Sequence, residues 1–74
     1  MYTYYCIELT LVNGRSGYAQ WGGITSNINE SMFFDTYDEA ASWMRRNTLK
    51  NLYNGVAVDP SRTKVISVSS PRPI

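Results

Sequence analysis

A single small α+β domain, one antiparallel sheet of three to five strands with one main helix across a face, is the fold class this sequence of 74 residues predicts. Three observations predict it. Polar and apolar residues alternate from Thr3 to Val12, an Asn13-Gly14 pair follows directly, and Thr36 with Glu39 three residues on opens an alanine-rich run.

In the first segment Tyr5, Ile7, Leu9 and Leu11 fall on one side and Tyr4, Cys6, Glu8 and Thr10 on the other, the pattern of a strand with one buried face. Asn13-Gly14 tolerates positive φ and marks a hairpin into a second strand, Arg15 to Trp21. Two registers compete. A two-residue turn sets Ile7 opposite Gln20; a three-residue turn ending at Gly14 sets Ile7 opposite Ala19 and Tyr5 opposite Trp21. A slip of one residue swaps faces, and only the second register joins Ala19 and Trp21 to the apolar set, so it is the one expected. Gly22-Gly23 then breaks the strand, Ile24 to Ser31 reads as a loop, and Met32 to Phe34 as a third strand.

The helix begins at Thr36, whose hydroxyl accepts from the Glu39 amide while the Glu39 carboxylate reaches back. Tyr37, Ala40, Ala41 and Met44 recur at helical spacing, and the small alanines let this side approach a sheet. Leu49 and Tyr53 fall off that stripe, so the helix is expected to stop or bend near Asn47-Thr48 before Asn54-Gly55 closes the segment. Val56 to Val58 and Lys64 to Ser69, separated by an Asp59-Pro60-Ser61 turn, supply the last strands. The expected order is ββ(β)αβ(β), with residues 1–74 one compact domain and 71–74 a flexible tail. Its core is Tyr5, Ile7, Leu9, Leu11, Trp21, Phe34, Ala40, Ala41, Met44, Ile66 and Val68.

Composition narrows the chemistry. Without histidine, and with Cys6 as the one cysteine, the sequence offers no intramolecular disulfide, no His-based triad and no common metal-ligand set; no metal or cofactor is implied. Cys6 lies beside Glu8, whose charge raises a thiol pKa, and of the five acids Glu8, Asp35, Asp38, Glu39 and Asp59 three belong to the helix start, so catalysis is not expected. No run approaches membrane-spanning length, and the opening Met1-Tyr2-Thr3-Tyr4-Tyr5 lacks signal-peptide character, so a cytoplasmic setting without a membrane partner is expected.

The formal charge of +1 hides an asymmetry: residues 1–44 carry one cation against five acids, and 45–74 carry six cations against one acid. Asp35, Asp38 and Glu39 at the helix start and Arg45, Arg46 and Lys50 near its end suit the helix dipole. The same cations with Arg62 and Lys64 form the alternative reading, a basic surface for phosphate. Six of ten aromatics are tyrosine, which a small core uses poorly. The sheet face away from the helix is expected to display Tyr4, Glu8, Tyr18 and Gln20, a composition suited to docking a protein or, with nearby cations, to stacking bases; a merely solvated face would look the same.

The stretch FFDTYDEAASWMRRN, from Phe33 to Asn47, resembles the F-x-T-x-x-E-A segment with which many small ββα proteins start their helix. It is similar to the arm-binding domain of tyrosine-type integrases, although those sheets are studded with lysine and arginine and the first two strands here offer only Arg15. It also resembles very small phage-encoded β-β-α-β proteins that inhibit a host RNA polymerase or a CRISPR effector. That resemblance implies a non-enzymatic protein that docks on a larger host machine and blocks it. A nucleic-acid-binding module using the basic helix end and the sheet tyrosines is the alternative.

Overall fold

The computed structural model describes every residue from Met1 to Ile74. Its main sheet has four antiparallel strands in the order β3-β2-β1-β6, made by β1 (Tyr2–Thr10), β2 (Ser16–Gln20), β3 (Gly23–Thr25) and β6 (Lys64–Ser70). One helix, α1 (Tyr37–Arg46), lies over the seam between β1 and β6, and a two-stranded sheet of β4 (Leu52–Tyr53) and β5 (Val56–Ala57) completes the fold. No helix is long and apolar enough to cross a membrane.

β1 is the central strand, and its alternation buries Ile7, Leu9 and Leu11 completely or nearly so. The hairpin to β2 closes where Leu11 N–H donates to Arg15 O at 2.7 Å, leaving a three-residue loop whose last member, Gly14, sits at φ 93°. The register is Glu8 opposite Tyr18 and Leu9 opposite Gly17, as the buried-face pattern requires. Pairing stops at Glu8. Beyond it Phe34 takes the place beside β1, exchanging hydrogen bonds with Tyr5 at 2.9 and 2.8 Å, while Met32 N–H donates to Ala19 O at 2.9 Å.

The third strand is therefore not Met32 to Phe34, which contributes a single bridge, but Gly23–Thr25. Gly22 at φ 74° reverses the chain immediately after Gln20, so the expected break is a tight turn instead. Trp21, expected in the core opposite Tyr5, stands on that turn and is 75% exposed. Ile24 pairs with Ala19 and packs against the core over Gly17. A Cβ at Gly17 would lie 2.7 Å from the Thr25 carbonyl oxygen and 2.8 Å from Ile24 Cγ1. Gly17→Ala is accordingly expected to destabilise the domain by roughly 1–3 kcal/mol, because the neighbouring strand must shift; an unchanged denaturation midpoint would show that β3 is not held there.

α1 begins as its sequence requires: Thr36 Oγ1 accepts from Glu39 N–H at 3.2 Å, although the reciprocal bond from the Glu39 carboxylate is not made. Ala40 and Ala41 are buried, Phe34, Trp43 and Met44 pack against the core cluster, and Asn47 N–H donates to Trp43 O where the helix turns into a 3-10 turn at Thr48–Lys50. In the β4–β5 hairpin Asn54 and Gly55 adopt φ 53° and 79°, the paired positive values of a type I′ turn. This hairpin inserts Tyr53 into the core, and Val58 follows with a bridge to Leu11.

β6 pairs with β1 along seven positions, Tyr2–Ser70 to Glu8–Lys64. Val65 lies opposite Ile7 and so faces the helix side, whereas Ile66 and Val68 lie opposite Cys6 and Tyr4. These two expected core residues thus belong to the other face, where they are half-buried. That second face is partly covered as well, since Cys6 at its centre is fully buried.

Candidate functional site

The strand registers place all four residues of the expected tyrosine face on the side away from α1. Tyr4 is opposite Val68, Glu8 is opposite both Lys64 and Tyr18, and Tyr18 and Gln20 are opposite Thr25 and Gly23. They do not form one open patch. The 3-10 turn at Ile28–Glu30 lies against β2, with Thr25 Oγ1 donating to a Glu30 carboxylate oxygen at 3.3 Å and Ser31 Oγ to the Ile28 carbonyl at 2.6 Å. Phe33 stands edge-on to Tyr4 with ring centroids 6.4 Å apart, and Ile74 N–H donates to the Tyr4 hydroxyl at 3.1 Å, so residues 71–74 return to the sheet. What remains is a shallow polar depression where Glu8 and Tyr18 meet Thr10, Ser16 and Ser26.

The groups with chemical potential are engaged. Burial pushes the Cys6 thiol above its ordinary pKa; the Ser31 side chain beside it opposes this and the charge of Glu8 adds to it. Modification of Cys6 by a thiol reagent at neutral pH is therefore expected to await unfolding, and labelling of the folded protein at the rate of a free thiol would contradict that burial. Asp59 is held below its usual pKa by the hydroxyl of Ser61 and by Arg62, whose Nε lies 2.8 Å from the carboxylate. Glu8 faces Lys64 at 3.9 Å.

The basic set is divided by the fold. Arg62 is committed to Asp59, and Lys64 stands beside Glu8 on the tyrosine side. Arg45, Arg46 and Lys50 lie at the end of α1 and in the turn after it, on the opposite side of the sheet. Lys64 thus shares the side of Tyr4 and Tyr18, while Arg45, Arg46 and Lys50 lie across the sheet from them.

A different surface, absent from the expected site, gathers on the helix side. Trp21 packs edge-to-face on Trp43 with ring centroids 5.0 Å apart, and Trp43 in turn lies 6.3 Å from Phe34. Trp43 and Leu52 line one groove together with Gly22, Gly23 and Asn51. Leu52, on the outward side of β4, is 65% exposed. Arg15 lines an adjoining hollow that shares Gly22, Gly23 and Leu52 with this groove, and the hollow on the other side of Trp43 holds Arg46 together with Asp38 and Glu39. The two ion pairs of the chain use neither arginine. The signal was present in the sequence: a tryptophan followed by Gly22-Gly23 sits where a turn forms, and a turn cannot bury it. The chain matches no protein-family model, no curated protein and no solved structure.

Proposed function

We propose that this chain is a non-enzymatic binding domain that docks on a larger protein through the Trp21–Trp43–Leu52 surface. The observation that carries this reading is Trp21, 75% exposed yet fixed by its edge-to-face contact with Trp43, next to a groove edged by an exposed leucine. Tryptophan is a large, rigid anchor and is enriched among residues that dominate binding energy. Arg15, which is in no ion pair, adds one cation near Leu52, whereas Arg46 shares its hollow with Asp38 and Glu39, so the apolar anchors rather than charge carry the docking reading. Non-enzymatic action is supported by the engagement of Cys6, Asp59 and Glu8 in burial or local pairing. The resemblance of the Phe33–Asn47 segment to small phage-encoded inhibitors supports a blocker of a larger cytoplasmic machine such as a CRISPR effector or RNA polymerase.

Affinity capture from bacterial lysates tests the reading. A partner recovered with the wild-type chain and with Tyr4→Ala or Tyr18→Ala, but lost with Trp21→Ala, is the expected result. Equal recovery by Trp21→Ala would remove the tryptophan surface from consideration and return attention to the depression at Glu8 and Tyr18.

A further inference from the structure

We propose that β6 is the seam of a symmetric dimer, pairing antiparallel with β6 of a second copy about Ser67. The phase of the β1 hydrogen bonds determines which groups are free at this edge. Tyr5 and Leu11 direct their backbone groups toward Phe34 and Arg15, so odd-numbered residues of β1 point to the β2 side. Even-numbered ones point the other way, as Asp59 N–H donating to Thr10 O at 2.8 Å illustrates. The even residues of β1 face even residues of β6, so Lys64, Ile66 and Val68 are satisfied by β1. Val65, Ser67 and Ser69 therefore aim their N–H and C=O groups outward, and β6 ends the sheet with no further strand paired to it.

An open edge of seven residues invites pairing, and this one lacks the usual deterrents. It contains no proline and no bulge, and its one charge, Lys64, lies at the end. Ser67 is both the midpoint of Lys64–Ser70 and an outward-facing residue, so pairing centred there keeps the whole strand in register. Ser67 then meets Ser67, and Val65 meets Ser69 of the second copy. Ile66 meets Val68 of the second copy, twice over, at the closer non-hydrogen-bonded positions, so residues half-buried in the single chain find β-branched partners. Lys64 meets Ser70, so no like charges oppose. Because α1 lies over the β1–β6 seam, strands about 4.8 Å apart set the two helices side by side at roughly 10 Å, an ordinary packing distance. Self-complementarity of the apolar pairs, the absence of opposed like charges and the helix spacing are what select a second copy as the occupant. The seam lies at the edge opposite β3, so it is independent of the tryptophan surface.

Sedimentation or light scattering up to millimolar concentration tests this. The mass is expected to rise with concentration from 8.4 kDa toward twice that value. Ser67→Pro removes an outward N–H without touching the β1 ladder and is expected to give a folded monomer. Ser67→Lys and Ser67→Glu, each placing like charges opposite one another, are expected to be monomeric alone and to form a mixed dimer when combined. A wild-type chain that stays monomeric throughout, leaving the edge to a strand of some other protein, overturns the proposal. A dimer that persists in the Ser67→Lys variant overturns it equally, by assigning the contact to another surface.

Discussion

Replacing Ile7 with alanine is expected to cost roughly 2–5 kcal/mol, the combined loss of transfer energy and the cavity left behind. Ile7 is fully buried at the centre of β1, in the cluster formed with Leu9, Leu11, Ala19, Tyr53 and Val58. Those neighbours come from four separate parts of the chain, so collapse around the gap would require several elements to move together. A domain of 74 residues has little stability to spare, and a loss of this size takes a large share of it. Denaturant titration followed by circular dichroism is expected to show the midpoint falling far below that of the wild type, or no folded baseline at all. A midpoint within error of the wild type would mean that the strand register is wrong.

The second large effect concerns binding. Trp21→Ala is expected to weaken association with a captured partner by about 2 kcal/mol or more, some 30-fold in affinity, the size typical of a central anchor. Stability is expected to change far less, because most of the Trp21 surface is in water and its main contact is one ring edge on Trp43. Leu52→Ser, at the exposed side of β4, is expected to weaken binding in the same direction. Calorimetry with the purified partner separates these losses from unfolding, since each variant can be checked for a native melt.

The elements set by local chemistry were readable in the sequence. Thr36 and Asn47 bound α1 because capping depends on side chains within a few residues of the helix ends. The β1–β2 register was readable because a slip of one residue would have turned Ala19 away from the face of Ile7 and Leu9. The third strand was not. Gly22 permits either a break or a reversal, and the choice falls to Ile24 finding space over Gly17, a contact between strands. In β6, Val65, Ile66 and Val68 are apolar on both sides, so alternation does not reveal which side meets the helix; pairing with β1 does. Tyr4 and Tyr18 share one side of the sheet, as alternation along each strand requires, but the cover supplied by Ser31, Phe33 and Ile74 arises from tertiary folding. Trp21 was assigned inward on apolar character alone, and its position on a two-residue turn carried it outward.

The most direct measurement is a nuclear magnetic resonance footprint of the isotope-labelled domain as the partner is added. Shifts and line broadening confined to Trp21, Gly22, Gly23, Trp43 and Leu52, with the indole N–H signals of Trp21 and Trp43 moving most, are what docking through the tryptophan surface predicts. A footprint centred on Tyr4, Glu8, Tyr18 and Gln20, with both indole signals unmoved, would contradict it.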